Sequence, residues 1–129
     1  MIYSILICYK RLAQLTDAKI RAMIRSALRL VWRNTKRKEY VNSVRFKFGK
    51  KYHLYCEGCG SLFAMNEKGY RILKDGSKSK KTRLVYEVDH IEGNHPFLSL
   101  DDLSAYAKTL LNGKLQILCV KCHGGKTYG

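Results

Sequence analysis

The chain has 129 residues, which is enough for one domain and too short for two independent cores. Its 46% hydrophobic and 27% charged residues are typical of a globular protein and exclude a wholly disordered chain. Lys and Arg total 25 against 10 acidic residues, and the resulting net charge of +15 favours a nucleic-acid partner over the plainer alternative of a basic protein without one.

Residues 1–8 are apolar, but no positive residue precedes them, and Lys10 and Arg11 end the run. We therefore interpret the run as a buried strand or the first turns of a helix rather than an export signal. No stretch reaches the roughly 20 apolar residues that a membrane span needs, so no membrane partner is expected. These features predict a cytoplasmic protein without disulfides, in which Cys8 is a buried thiol.

The chain divides into a basic helical segment, residues 1–50, and a part rich in metal-ligating residues, 51–129, with the join near residues 35–50. Residues 17–34 predict a helix capped by Asp17, because apolar residues recur there at three- and four-residue steps. The predicted apolar stripe consists of Ile20, Met23, Ile24, Ala27, Leu28 and Val31.

A row of arginines marks another face of this helix. Like charges four residues apart repel one another, so the row indicates either an anionic partner or a solvated face. Its members are Arg21, Arg25, Arg29 and Arg33.

Short strands follow the basic segment. Residues 44–48 alternate apolar and basic side chains, the period of a half-buried strand, and residues 52–55 predict a second extended run. Residues 74–83 predict a basic loop, and residues 84–88 a strand that ends at Asp89.

A second helix is predicted after Pro96, with Ser99 as its N-cap and Asn112-Gly113 as its end. Residues 115–118 then predict a strand, and a terminal helix begins at Cys119. The predicted apolar stripe of the second helix consists of Leu100, Leu103, Ala107, Leu110 and Leu111.

Two CxxC pairs are the strongest motif: Cys56 with Cys59, and Cys119 with Cys122. Each pair can hold a tetrahedral ion from one tight turn, so together they predict a four-thiolate structural zinc site without an open position for catalysis. Four incidental buried cysteines, or a thioredoxin-like redox motif, are the alternatives. Binding of zinc would contribute directly to the folding free energy of a small domain.

Further motifs lie between and beside these pairs. Asp-His-Ile at Asp89 follows a predicted strand, and Leu118 begins the run Leu-Cys-Val-Lys-Cys-His-Gly-Gly-Lys-Thr. This combination resembles the zinc-braced HNH endonucleases, which include small bacteriophage members, best over residues 56–127 and more faintly over residues 24–33. The resemblance implies an α+β fold in which a ββα-metal (His-Me finger) module follows a basic, DNA-contacting helical segment.

The resemblance also implies site roles. Asp89 and His123 would bind a catalytic Mg²⁺, or another divalent cation such as Mn²⁺ or Ni²⁺, and His90 would be the general base. Phosphodiester hydrolysis independently calls for these groups, because it needs a deprotonated water and positive charge at the phosphoryl oxygens. The alternative is that both histidines are ordinary core or surface residues.

The sequence departs from the family at Lys114, where an asparagine is usual; Asn112 lies two residues earlier. Gly124 and Gly125 disfavour the terminal helix by about 1 kcal/mol each relative to alanine. His53 and His95 have no predicted role. Residues predicted to contact DNA are Arg21, Arg25, Arg29, Arg33, Arg83, Lys114 and Lys126.

The leading functional prediction is a DNA endonuclease with a structural zinc, cytoplasmic in the bacterial host if phage-encoded. A non-catalytic zinc-braced DNA-binding module, derived from such a nuclease, is the second. A zinc ribbon that recognises RNA or a protein is a third, which leaves Asp89 and His90 unexplained. A phage or host protein partner is possible for each, and the sequence leaves monomer or dimer open.

Overall fold

The computed structural model describes residues 14–70, 72 and 85–128 of the chain. The predictions for residues 1–8, the basic loop and Arg83 lie outside these residues. The fold mixes helices and sheets, as predicted. Its helices are α1 (Asp17–Trp32), α2 (Lys38–Val44), α3 (Leu103–Asn112) and α4 (Val120–Tyr128), with a π-helical turn at Arg33–Arg37 and a 3-10 turn at Leu100–Asp102. Its strands are β1 (Phe46–Phe48), β2 (Lys51–Tyr55), β3 (Leu62–Met65), β4 (Tyr86–His90) and β5 (Leu115–Cys119).

Helix α1 begins one residue earlier than its predicted cap. Thr16 has an extended backbone, and its Oγ1 accepts a hydrogen bond from the N–H of Lys19 at 3.2 Å. The prediction of Asp17 as the cap was therefore wrong; Asp17 is the first helical residue, where its negative charge interacts favourably with the helix dipole. The π-helical turn then leads directly into α2.

The apolar stripe of α1 is narrower than predicted. Ile24, Leu28 and Trp32, spaced four residues apart, pack against a buried cluster from the loop before α3 and from α3 itself. Met23 and Val31 belonged to the predicted stripe but are exposed. The α3 side of this contact covers a single row of α1 side chains, so residues on either side of that row stay in solvent.

The buried face of helix α3 also differs from the predicted apolar stripe. Ser99 and Asp102 form the predicted N-terminal cap, as a reciprocal capping box. The buried side chains of α3 are Tyr106 and Leu110, whereas Leu100 and Leu103 from the predicted stripe are exposed. Tyr106 stacks on Phe97 with ring centroids 5.0 Å apart, and this aromatic pair sets which face of the helix turns inward.

The strands form two antiparallel sheets, β1-β2-β3 and β4-β5. Strand β1 is exposed at every position, so the prediction that it is half-buried was wrong. It is an edge strand of its sheet, and the buried side chains of that sheet, Leu54 and Met65, come from β2 and β3.

The main core joins both predicted parts of the chain. Val41 of α2 packs with side chains of β2, β3, β4 and β5, and Trp32 contacts both this core and the second cluster beneath α1. The core residues are Val41, Leu54, Met65, Tyr86, Val88 and Ile117. Among the described residues, no helix has the length and hydropathy needed to cross a bilayer.

Candidate functional site

The four cysteines of the CxxC pairs converge on one point. Cys56 and Cys59 lie in the turn after β2, while Cys119 ends β5 and Cys122 lies in the first turn of α4. Their sulfur atoms all lie within 4.8 Å of one another, and those of Cys59 and Cys119 are 3.9 Å apart. Zinc–sulfur bonds of about 2.3 Å in a tetrahedron require sulfurs about 3.8 Å apart, so this cluster could hold a zinc ion.

Backbone N–H groups stabilise negative charge on the sulfur atoms of the cluster. The N–H groups of Cys119 and Cys59 donate to the sulfur of Cys56 at 3.2 and 3.4 Å. Burial opposes ionisation of Cys56, but these bonds and one from Gly58 outweigh it and lower its pKa to about 6. Hydrogen bonds with the other three sulfurs, that of Cys119 first, raise the pKa of Cys122 to about 12. Full ionisation near neutral pH therefore calls for a bound cation.

Two residues that the sequence did not single out, Gly58 and Glu57, hold the first CxxC turn against β5. A Cβ on Gly58 would lie 3.2 Å from Leu118 Cδ2 and 3.3 Å from the Cys122 sulfur, so this close approach favours glycine. The N–H of Glu57 donates to the carbonyl of Ile117 at 2.8 Å, and its carboxylate accepts hydrogen bonds from Ile117 N–H and from the Tyr40 hydroxyl. The position of Gly58 between the paired cysteines is the sequence feature that could have indicated this close approach.

The β4-β5 hairpin carries the predicted acid and base. Strand β4 ends at His90, so Asp89 and His90 are both strand residues at its predicted tip. They pair with Gln116 and Leu115 of β5 and, as neighbours on a strand, point to opposite faces. Asp89 contacts side chains of α4, whereas His90 contacts α1 and the end of α3.

His90 is 8% exposed and held on two sides. Its Nε2 lies 2.8 Å from the carbonyl oxygen of Leu110, and its ring centroid lies 5.0 Å from that of Trp32. A carbonyl can only accept, so Nε2 carries the hydrogen, and in the neutral ring Nδ1 is the nitrogen that can take up a proton.

Gly113, which ends α3, borders the same imidazole. A Cβ there would lie 2.4 Å from the carbonyl oxygen of Thr109 and 3.1 Å from His90 Cδ2. The sequence identified this glycine as a helix stop. Its second role, leaving room for His90, depends on a contact between residues 23 positions apart that the sequence pattern does not show.

Asp89 is surrounded by donors. Its Oδ2 accepts hydrogen bonds from Gln116 Nε2 at 2.9 Å and from Lys126 Nζ, and its Oδ1 lies 3.9 Å from His123 Nε2. Burial tends to raise the pKa of this carboxyl, but the Lys126 and Gln116 hydrogen bonds and the positive charge nearby outweigh it and lower the pKa. The side chain is therefore a carboxylate at neutral pH.

Lys126 is bound more tightly to the hairpin than the sequence suggested. Besides Asp89, its ammonium donates to the carbonyl oxygens of His90 at 2.8 Å and Ile91 at 2.9 Å. The three acceptors account for the three hydrogens of the ammonium. A role for Lys126 in binding phosphate stays a prediction.

The arginine row divides into two pairs. The guanidinium groups of Arg21 and Arg25 donate to the carbonyl of Phe97 at 3.3 and 3.1 Å, so both fix the loop before α3. Arg29 and Arg33 are exposed and line a cleft of about 670 Å³ together with Trp32. Lys114 is exposed at the start of β5, and its carbonyl accepts the N–H of Ile91.

The same cleft is lined by Asp89, His90 and His123. The structure thus brings the three residues that the sequence singled out to one cavity, which Arg29, Arg33 and Glu87 also line. His53 and His95 do not line it. No family model, curated protein or solved structure matches the chain.

Proposed function

We propose that this protein is a metal-dependent endonuclease of the HNH type, which hydrolyses phosphodiester bonds of DNA in the cleft. The supporting observation is that Asp89, His90, His123, Arg29 and Arg33 line one cavity, together with a second acidic residue, Glu87. In this proposal β4, β5 and α4 form the ββα-metal module, residues 51–129 the nuclease unit and residues 1–50 a basic extension that contacts DNA.

His90 is the proposed general base. Its Nε2–H is held by the carbonyl of Leu110, so Nδ1 is the basic nitrogen that removes a proton from the attacking water. Trp32 packs on the ring, and the absence of a side chain at Gly113 leaves room for it. A fixed base keeps the attacking water aligned with the scissile phosphate.

Asp89 and His123 are the proposed ligands of the catalytic cation. One carboxylate oxygen and one imidazole nitrogen suit Mg²⁺, Mn²⁺ or Ni²⁺ and leave positions for phosphate and water. Their ligand atoms are 3.9 Å apart across the cleft. When bound, a divalent cation supplies Lewis-acid stabilisation of the phosphoryl oxygens and the leaving oxygen. Lys126 contacts the other oxygen of this carboxylate, Oδ2, and so leaves Oδ1 for the cation.

Arg29 and Arg33 supply the remaining positive charge. Both are exposed on the wall formed by α1 and the π-helical turn. Guanidinium groups can bind phosphate oxygens through two parallel hydrogen bonds, which orients the backbone as well as attracting it. We assign the DNA-contacting role of the row chiefly to this pair.

Plasmid nicking tests the proposal. Supercoiled plasmid is incubated with the protein and Mg²⁺, Mn²⁺ or Ni²⁺, beside His90→Ala and Asp89→Ala. Loss of the base is expected to slow nicking by at least about 100-fold. His95→Ala is the matched control, because that histidine does not line the cleft and its substitution should leave the rate unchanged. Equal nicking by wild type and His90→Ala would attribute the activity to a contaminant and end the enzyme proposal.

A non-catalytic DNA-binding module is the second candidate. The observation that favours it is the ammonium of Lys126, which sits on the carboxylate that would otherwise bind the cation. This candidate predicts DNA binding without nicking under all three metals. It also predicts that Lys126→Met leaves the protein inactive and does not create a site for Mn²⁺ measurable by calorimetry.

A further inference from the structure

One face of the β1-β2-β3 sheet carries a row of aromatic rings. Phe46 and Phe48 of β1 pair with His53 and Lys51 of β2, and Tyr55 follows on the same face because side chains alternate along a strand. The Phe46 ring stacks on His53 and on Tyr55 with centroids 5.5 Å apart in both cases. The row is thus ordered by contacts among its own members.

This face is exposed to an unusual degree. Phe48 is 78% exposed and Tyr55 is 55% exposed, and Leu62 of β3 extends the apolar surface beside them. Exposed aromatic surface of this kind marks an interaction site more often than isolated apolar residues do. The buried side chains of the sheet, Leu54 and Met65, lie on its opposite face.

The charge around the rings indicates the kind of partner. Residues 45–55 include no carboxylate, and Lys50 in the turn between β1 and β2 and Lys51 of β2 are the cations beside the rings; Arg45 and Lys47 lie over the Tyr52 ring on the opposite face. Lys51 lies on the aromatic face itself, directly opposite Phe48. A membrane would accept the rings but offers no planar groups on which they could stack. A second copy of this basic chain would bring like charges together. A polyanion with planar groups satisfies both the rings and the cations.

We propose that this face binds single-stranded nucleic acid, with unpaired bases stacked on Phe48 and Tyr55 and the backbone held by Lys50 and Lys51. Bases stack on aromatic side chains regardless of sequence, and basic side chains follow the backbone. Bases within a duplex have their faces covered by their neighbours, so the surface selects an unpaired strand. This binding goes beyond hydrolysis and does not depend on it.

The test compares two labelled strands by fluorescence anisotropy, without added divalent cation: an oligothymidine of about 15 nucleotides and an abasic strand of equal length. Both have the same backbone charge, and only the first has bases. Wild type is expected to bind the first strand at least about fivefold more tightly. An oligouridine arm shows whether the surface accepts ribose as well as deoxyribose.

The variants Phe48→Leu and Tyr55→Leu remove a ring and keep an apolar side chain. Each is expected to weaken oligothymidine binding by about 5- to 150-fold and to leave abasic binding unchanged. Leu98→Ala, an equally exposed apolar residue elsewhere, is the control and should change neither. Equal wild-type binding to both strands would overturn the proposal. So would ring variants that retain the preference for bases, or ring variants that change the oligomeric state by sedimentation without affecting DNA binding.

Discussion

The four-cysteine cluster and the cleft beside it are built in opposite ways. The cluster takes all four donors from the chain, within 4.8 Å of one another, and backbone N–H groups point at its sulfurs. The cleft, a cavity of about 670 Å³, is lined by two acidic residues, Asp89 and Glu87, and by two histidines, and it is open on one side. A closed donor set fixes the fold, whereas an open one leaves room for exchangeable ligands. Changes in the cluster should therefore affect folding, and changes in the cleft should affect chemistry.

The largest effect is expected for Cys56→Ser. Structural zinc contributes about 10–16 kcal/mol in small metal-stabilised peptides, comparable to or greater than the whole stability of a typical domain. We expect the variant to lose its zinc and its cooperative thermal unfolding, as measured by metal analysis and circular dichroism. The wild type should contain about one zinc per chain.

Cys8→Ser is the matched control for this experiment, because Cys8 belongs to neither CxxC pair. It should retain its zinc, which Cys56→Ser should not. A Cys56→Ser protein that stays folded without metal would remove the contrast between cluster and cleft.

The next effect is expected for Gly113→Ala. The new methyl group would meet the Thr109 carbonyl and His90, so either the end of α3 or the imidazole must move. We expect a loss of about 1–3 kcal/mol in the free energy of unfolding in urea, together with altered His90 ring signals in NMR spectra. Gly124→Ala, whose new Cβ meets nothing within 4 Å, should be as stable as the wild type or more so. A similar response of the two variants would show that Gly113 does not constrain His90.

Substitutions in the two arginine pairs are expected to change different properties, DNA binding in one pair and stability in the other. Replacing Arg29 and Arg33 by glutamine should flatten the salt dependence of DNA binding by up to about one unit of slope per contact, without changing stability. Replacing Arg21 and Arg25 should lower stability, because the Phe97 carbonyl loses its donors, and leave the slope nearly unchanged. Salt titrations and urea unfolding of both double variants measure this. Equal slopes for the two would contradict the division of the row.

The smallest effect is expected for Lys126→Met. A carboxyl whose pKa is lowered by folding stabilises the protein above its unfolded pKa of about 3.9, and this contribution disappears as the pH falls through the lowered value. Without Lys126 the pKa of Asp89 should rise, so the variant should lose less stability on acidification than the wild type. Acid also protonates the cysteines, but equally in both proteins, so the difference between them reports Asp89. Lys121→Met, an exposed lysine of α4, should behave as the wild type.

The sequence was most informative where the chemistry depends on local spacing. The CxxC pairs identified the cluster, and Asp89, His90 and His123 were singled out as residues that the structure brings to one cleft. Periodicity predicted the positions of α1, α3, β2, β4 and β5, whereas α2 and β3, which are only seven and four residues long, were not predicted.

The features that could not be predicted from the sequence depend on contacts between residues that are far apart along the chain. Leu110 acts through its backbone carbonyl, and any residue type has one, so no side-chain pattern marks it as the partner of His90. Trp32 fell outside the predicted stripe, although its ring packs on both core clusters. The alternation in β1 predicted partial burial, but alternation cannot tell whether another element covers the apolar face.

Because His123 directly follows Cys122, oxidation of the cysteine cluster bears on the cleft as well. Cysteine sulfurs that are 3.9 Å apart, such as those of Cys59 and Cys119, are converted to a disulfide or to sulfenic acids by oxidants, and in either form they could not hold zinc. His123 follows Cys122 in the first turn of α4, so a change in the cluster also acts on a residue that lines the cleft. We therefore expect oxidants that modify the cysteines to affect the cleft as well.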